Sequence, residues 1–199
     1  MTKHHGHIKF ARYADDIICH CNSLEEAEAL MRSLENRMAE CGLELHPKKS
    51  KVVYCADANR RNKFPVVKFD FLGYTFKPRT AINRNKQLFT SFSPAVGDKA
   101  AKAMRQKVRR LCLQRLSRYN LNQISARVNA LLGGWVNYFK LFRPSAVRDA
   151  LKSLNLHLVK WAQRKFKKLR GHKTRTWEWL NTVKEKSPHL FTHWSPNFK

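Results

Sequence analysis

Three features that often decide where a protein works are missing from this sequence. It has no run of about 18 apolar residues, no visible secretion signal at its N-terminus and no Cys-x-x-Cys pair. The first absence excludes a membrane-spanning helix, and the third argues against a cysteine-ligated metal. The five cysteines are an odd number, which fits reduced thiols and a cytoplasmic protein better than a disulfide framework.

Acidic residues are also scarce, and their distribution is uneven. The chain has 40 Lys and Arg against 14 Asp and Glu, a net charge of +26 over 199 residues. Residues 1–90 hold 16 basic and 10 acidic side chains, whereas residues 91–199 hold 24 basic and only 4 acidic ones. Such an excess predicts a polyanionic partner, with nucleic acid ahead of a membrane surface.

Two adjacent carboxylates stand in the middle of the most informative motif, Tyr13-Ala14-Asp15-Asp16. Residues 7–13 alternate in hydropathy before it, and a short β-favouring run follows, so we predict a hairpin with the acids at its tip. Paired carboxylates suit Mg²⁺, which prefers oxygen ligands and often binds substrate phosphates as well. On these residues alone, a solvated acidic turn is the competing interpretation.

The pattern up to about residue 90 predicts an α+β region. Ser23 begins a helix with a capping box and a core-facing apolar stripe, and Gly42 ends that helix. Strands are predicted at Lys51–Cys55 and across residues 66–76. With the hairpin, these elements form a partial, mostly antiparallel sheet beside one helix.

Beyond residue 90 the pattern becomes helical. Ser93-Pro94 predicts the start of a helix reaching about Arg118, and three more helices are expected at about 122–142, 145–169 and 174–186. Gly133-Gly134 interrupts the second, which predicts close packing there. We therefore expect an all-helical region over residues 91–199, after a domain covering residues 1–90.

The five tryptophans fall into two groups, one expected in the core and one available for contact with RNA bases. Trp135 and Trp161 lie on apolar stripes and are predicted to belong to the core. The sequence does not assign the other three to an apolar stripe, so they are candidates for stacking on unpaired bases: Trp177, Trp179 and Trp194.

Five sequence blocks, in order, resemble one family. They are Phe10–Asp16, Gly42–Lys51, Phe69–Phe76, Gly133–Phe139 and Leu190–Trp194. Together these blocks resemble group II intron-encoded reverse transcriptases, also called maturases. The resemblance implies the end of a polymerase palm over residues 1–90, followed by the helical thumb, or maturase-specific domain X, over residues 91–199.

The resemblance implies roles for residues near the acidic turn. Asp15 is expected to ligate catalytic Mg²⁺, with Asp16 as a second, less certain ligand of the same motif. Tyr13 is expected beneath the incoming nucleotide. Lys49 is expected near the nucleotide phosphates, where it protonates the leaving pyrophosphate, and Lys51 takes that role if the alignment shifts. The competing interpretation of Lys49 is an ordinary solvated lysine.

A second set of implied roles concerns the turn within the third block. Phe71, Leu72, Gly73 and Tyr74 are expected to form the primer grip, where glycine lets backbone approach the primer strand. The competing interpretation places Phe71 and Leu72 in an ordinary core.

The resemblance also implies partners: structured RNA, in particular a group II intron, and an RNA/DNA primer-template. In the family the acidic hairpin follows the fingers and a block carrying another metal-binding aspartate. We therefore expect no polymerase activity from this chain alone, and activity only with an N-terminal fingers–palm partner. A non-catalytic RNA-binding module is the alternative function, and a decayed gene product is a third reading. The expected location is the bacterial cytosol or nucleoid, and the oligomeric state stays open.

Overall fold

A computed structural model describes residues 7–195 of the chain. It contains five strands and five α-helices among those residues, which confirms a mixed α+β architecture. The strands are β1 (Lys9–Tyr13), β2 (Asp16–His20), β3 (Phe69–Phe71), β4 (Tyr74–Ile82) and β5 (Leu88–Val96). The helices are α1 (Leu24–Glu40), α2 (Asp98–Arg110), α3 (Leu121–Phe139), α4 (Pro144–Lys165) and α5 (Lys173–Lys186). Over the described range, no helix is both long and apolar enough to cross a bilayer.

The first two strands form the predicted hairpin, and α1 follows as predicted. Ser23 caps α1, because its hydroxyl oxygen accepts a hydrogen bond from the Glu26 amide at 3.1 Å. The Glu26 carboxylate in turn accepts from the Asn22 amide at 2.6 Å. The apolar stripe of α1 is less buried than predicted, since Leu30 is its one fully buried side chain. A two-stranded hairpin offers too little surface to cover the rest.

A second, three-stranded antiparallel sheet has the order β3-β4-β5. The predicted helix start at Ser93-Pro94 is wrong, because both residues lie in β5, with Pro94 opposite Phe76 of β4. Proline is tolerated on an outer strand, where its missing amide leaves no hydrogen bond unmade. The helix starts four residues later, after Gly97. Residue 90 thus lies within β5, and the division into domains at that point stays a prediction.

The predicted strand at Lys51–Cys55 is also wrong. This stretch has no regular secondary structure, although the Tyr54 amide donates a backbone hydrogen bond to the Val66 carbonyl at 2.9 Å. A strand needs a continuous ladder with a neighbour, and a run of β-favouring residues does not supply that neighbour.

The four helices α2 to α5 surround the main hydrophobic core, in the predicted order. Leu154, Leu158 and Phe191 are fully buried there. Trp161 is 1% exposed, and its indole N–H donates to the Leu116 carbonyl at 2.9 Å. Helix α2 ends at Arg110, well before the predicted Arg118, and two short 3₁₀ turns follow α2 and α4.

Gly133 and Gly134 lie within α3 but do not pack closely against other elements, so that expectation is wrong. A Cβ atom added to either residue would have no non-local neighbour within 4 Å. Helix α3 is stable across these glycines because its opposite side is buried, including Leu132 and Val136.

Residues 190–194, the last of the five blocks, are held against α3 and α4 by hydrogen bonds from two asparagines. Asn129 donates to the Leu190 carbonyl at 2.9 Å and accepts from the Thr192 amide at 3.1 Å. The Asn155 side-chain oxygen lies 2.9 Å from the His193 ring and accepts from the Trp194 indole at 2.9 Å. Burial lowers the pKa of His193 to about 3, so its ring is neutral. The block 190–194 therefore forms part of the hydrophobic core.

Candidate active-site turn and nucleic-acid interface

The acidic motif sits at the exposed tip of the β1–β2 hairpin. Tyr13 and Asp16 form the last cross-strand pair, which leaves Ala14 and Asp15 as the two loop residues. All four side chains are exposed, and Tyr13 retains 62% of its surface. The structure therefore brings Tyr13 and both carboxylates together, as the sequence predicts, and leaves them open to a ligand.

The conformation of this turn is strained at one residue. Ala14 has a φ of +51°, in the left-handed region that costs an L-residue about 1 kcal/mol. The Arg12 side chain donates from Nε to the Ala14 carbonyl at 2.9 Å, which stabilises the turn from within. Strain of this kind at a loop tip is often associated with a functional site.

The donor chemistry at the turn fits part of a magnesium site. Asp15 and Asp16 offer adjacent carboxylate oxygens, and Mg²⁺ commonly takes one or two carboxylates together with water and phosphate. Within residues 7–195, no three His, Cys, Asp or Glu side chains gather into one cluster. The carboxylate pair therefore offers adjacent oxygen donors without a third such ligand among these residues, and its metal role stays a prediction.

Lys49 lies on a separate turn. Its backbone amide donates to the His46 carbonyl at 3.0 Å, and the side chains of both Lys49 and Lys51 are exposed. No hydrogen bond or ion pair of the described residues joins Lys49 to Asp15 or Asp16. The phosphate role of Lys49 stays a prediction.

The proposed primer-grip turn is a tight hairpin loop between β3 and β4. Phe71 pairs with Tyr74, and the two loop residues both have positive φ, +49° at Leu72 and +78° at Gly73. Two left-handed residues in succession characterise the hairpin turn that matches the natural twist of paired strands. The Gly73 carbonyl also accepts from the Gly97 amide at 2.9 Å, so the loop is tied to the start of α2.

This turn is fastened to the C-terminal end of α3, a contact that we call the tyrosine clasp. The Tyr138 hydroxyl donates to the Leu72 carbonyl at 2.9 Å, and the Tyr74 hydroxyl donates to the Tyr138 carbonyl. Ring centroids of Phe139 and Phe142 lie 5.0 and 5.4 Å from that of Tyr74. Burial raises the pKa of Tyr74, which keeps its hydroxyl protonated as a donor.

The sequence predicted a helix at about 122–142 over these aromatic residues but did not predict the clasp. The density of rings at Tyr138, Phe139 and Phe142 was the available signal. Their partner, Tyr74, is 64 residues away from Tyr138, and no local pattern reports such a pairing.

Helix α2 carries a basic surface. Helix α2 buries Met104 and Val108 and exposes six cationic side chains: Lys99, Lys102, Arg105, Lys107, Arg109 and Arg110. Among the described residues, no ion pair involves a side chain of α2. Unpaired cations on one helix are the electrostatic signature of a polyanion-binding surface.

All five tryptophans contribute to packing. Trp161 and Trp194 are buried, while Trp135, Trp177 and Trp179 are partly buried against the core. The core prediction for Trp161 is therefore confirmed, and Trp135 belongs to the rim of that core. The more exposed rings are phenylalanines and tyrosines, including Phe166.

Two family models match this chain, one after the other. The model described as reverse transcriptase (RNA-dependent DNA polymerase) matches residues 1–76. The model described as group II intron, maturase-specific domain, matches residues 101–177. The chain belongs to the group II intron reverse transcriptase–maturase family. Searches of curated proteins and of solved structures found no match.

Membership implies nucleic-acid partners in general, RNA among them, which agrees with the charge of the chain. The two matched regions are separated by residues 77–100, which contain most of β4 and all of β5. The tyrosine clasp spans this gap, since Leu72 and Tyr74 lie in the first matched region while Tyr138 lies in the second.

Proposed function

We propose that this chain supplies the palm end and thumb of a group II intron reverse transcriptase–maturase. In this proposal Asp15 and Asp16 contribute to a Mg²⁺ site, and the Phe71–Tyr74 turn grips the primer. The basic helical region over residues 91–199 binds structured intron RNA and the RNA/DNA primer-template. The activity served is RNA-directed DNA synthesis together with assistance to intron splicing and mobility.

The tyrosine clasp is the observation that carries this proposal. A primer grip has to keep its position relative to the helices that hold the duplex, so contacts that join its turn to those helices favour this role. Here the Tyr74 hydroxyl donates to the Tyr138 carbonyl and the Tyr138 hydroxyl donates to the Leu72 carbonyl, while the Gly97 amide donates to the Gly73 carbonyl. The joint therefore fixes the turn relative to the helices proposed to bind the duplex.

The residues of the acidic turn have separate proposed tasks. Asp15 and Asp16 hold the metal, the exposed Tyr13 ring supports the incoming nucleotide, and Lys49 donates a proton to the leaving pyrophosphate. Bound Mg²⁺ would neutralise charge on the attacking and leaving oxygens. Because no third acidic, histidine or cysteine ligand lies near this pair in residues 7–195, we propose that a fingers–palm partner supplies a further carboxylate.

Primer extension tests the catalytic part of the proposal. The full chain, mixed with a separately made fingers–palm segment of the same family, is expected to extend a DNA primer on an RNA template. Asp15→Ala should reduce extension by at least about 100-fold, since metal positioning supplies several kcal/mol of barrier lowering. Asp57→Ala is the matched control, because that carboxylate pairs with Arg60 in an exposed loop.

Absence of extension with every complementing segment would contradict the polymerase role. The alternative, a non-catalytic RNA-binding module, would then remain, because the unpaired cations of α2 favour it independently. Binding of intron-like RNA that weakens steeply with salt is expected under both functions, and its absence would contradict both.

A further inference from the structure

An open cup lies where the end of α4 meets α5, at the opposite end of α4 from Pro144. Its volume is about 540 Å³. The side chains that matter for its chemistry are two aromatic rings, three free cations and one acid: Phe166, Trp179, Lys167, Lys168, Arg175 and Glu178. No part of the cup belongs to the acidic turn or to the tyrosine clasp.

The two aromatic rings that form the wall of the cup, Phe166 and Trp179, pack against the buried core. Phe166 follows the last residue of α4 with extended backbone, and its ring lies edge-on to buried Trp161 at 5.8 Å between centroids. Trp179 of α5 lies 5.4 Å from Phe166. Phe166 nevertheless keeps 36% of its surface exposed, so this cluster presents a rigid apolar face to solvent.

The rim of the cup is cationic. Lys167, Lys168 and Arg175 are exposed, and none of them appears in the ion pairs of the described residues. Glu178 is one turn from Arg175 on α5, yet the two form no ion pair. Three unpaired cations against one carboxylate favour an anionic ligand.

A further lysine that lines the cup, Lys165, has a structural role. The Lys165 ammonium donates to the Ser117 carbonyl at 2.9 Å and lies 5.7 Å from the centre of the Trp161 ring. This bond ties the end of α4 to the loop before α3, so the aromatic wall has little freedom to collapse into the cup.

We propose that this cup binds one unpaired nucleotide of RNA. The base stacks on the exposed Phe166 ring, which Trp179 supports at 58° between the ring planes, and its flanking phosphates contact Lys167, Lys168 and Arg175. An aromatic face beside free cations matches the two parts of a nucleotide, the flat base and the charged backbone. Paired bases are enclosed within their own helix and do not present a free face, so the cup favours bulged or single-stranded nucleotides.

This inference rests on the proposed RNA-binding function and adds a location and a ligand form to it. Fluorescence anisotropy with the full chain at one fixed salt concentration tests it. Two labelled RNA hairpins are compared, identical except that one carries a single bulged nucleotide. The wild-type chain is expected to bind the bulged hairpin about fivefold more tightly, the low end of one base–aromatic stack.

The decisive variant is Phe166→Leu, which removes the stacking face and keeps an apolar side chain at the site. It should abolish the preference for the bulged hairpin and leave affinity for the fully paired hairpin unchanged. Phe89→Leu is the matched control, since Phe89 is 40% exposed on β5, outside the cup. Circular dichroism on heating establishes that each variant is folded.

Crosslinking keeps the test decisive if Phe166→Leu does not fold. A photoreactive 4-thiouridine at the bulge, irradiated with the wild-type chain, is expected to attach to peptides covering residues 166–182. Attachment confined to other peptides would overturn the cup as the binding site.

The failures of the two proposals are distinguishable. A wild-type chain that binds neither hairpin contradicts the RNA-binding function and the cup together. A wild-type chain that binds both hairpins equally, with Phe166→Leu behaving like Phe89→Leu, overturns the cup alone and leaves the RNA-binding function standing.

Discussion

The acidic hairpin with α1 and the helical region with α2 to α5 differ in how they are supported. In the first, Ile8 and Leu30 are the buried apolar side chains of residues 7–42, and Phe10 and Ile17 are 48% and 40% exposed. In the second, more than a dozen apolar side chains are buried in one cluster. The proposed chemistry therefore lies on the thinly supported part, and the binding surface on the well-packed part.

This contrast has a physical consequence. Burial of apolar area is the main source of stability, and a two-stranded hairpin is marginal by itself in water. The helical region is stabilised by a core that also includes Tyr74 and Val96 of the second sheet, whereas the hairpin leaves Phe10 and Ile17 largely exposed. In the proposed function, the fingers–palm partner is expected to cover these side chains.

The largest expected effect comes from truncating one leucine in each region. Leu154 is fully buried, so Leu154→Ala should lower the free energy of unfolding by about 2–5 kcal/mol. Leu34 of α1 is half-buried, and Leu34→Ala should cost less than half as much. Urea denaturation followed by circular dichroism measures both, and equal losses would contradict the contrast between the regions.

The next prediction concerns the joint between the two matched regions. A Cβ added at Gly97 would lie 2.9 Å from the Gly73 carbonyl oxygen and 3.0 Å from the Thr75 hydroxyl. Gly97→Ala should therefore destabilise the chain by about 1–3 kcal/mol, as overpacking does, and loosen the primer-grip turn.

Gly134→Ala is the control for that substitution. Gly134 lies within α3 with open space around it, and alanine favours a helix interior by about 1 kcal/mol over glycine. Gly134→Ala should stabilise the chain in the same urea titration. Destabilisation by both substitutions would show that α3 meets a surface at Gly134 in solution.

Acid should weaken the helical region through His193. Its folded-state pKa is lowered to about 3 by burial, below the ordinary value near 6.5, so the unfolded state takes up a proton more readily. The stabilisation that comes from the neutral His193 is fully present above about pH 6.5 and is lost as the pH falls toward 3. The free energy of unfolding should decrease by about 2 kcal/mol between pH 7 and pH 5. Urea titrations at these two pH values measure the loss.

His193→Gln should remove most of that pH dependence and leave a smaller part to His157, whose pKa burial also lowers. The variant is expected to be less stable at pH 7, because it loses packing. His172→Gln, at an exposed histidine, should leave the pH dependence as in the wild type. An unchanged dependence in His193→Gln would mean that another group carries it.

The elements that the sequence predicted correctly are those fixed by neighbouring residues. The Tyr13–Asp16 turn and the Ser23 cap depend on contacts within a few positions, and the apolar stripes of α3 and α4 depend on helical spacing. The errors arose where a distant partner decides the outcome. Pro94 has a good helix-starting pattern, yet pairing with Phe76 places it in β5. Lys51–Cys55 holds β-favouring residues without a strand to pair with.

The candidate sites divide in the same way. The acidic turn was predictable, because its carboxylates are adjacent in the sequence. The tyrosine clasp joins Leu72 to Tyr138, and the cup joins Phe166 to Trp179. Contacts of this kind depend on how α3, α4 and α5 pack, which hydropathy patterns leave open.

The smallest expected effect lies at the acidic turn, where two alanines of one hairpin provide a matched pair. Ala14 has a φ of +51°, while Ala11 lies in the regular part of β1. Ala14→Gly relieves about 1 kcal/mol of left-handed strain but adds about 0.5–1 kcal/mol of backbone entropy to the open state, so the net change is close to zero. Ala11→Gly incurs the entropy alone and should weaken the hairpin. Hydrogen exchange of the β1 and β2 amides reports their local opening, and equal loss of protection in both variants would mean that Ala14 carries no strain.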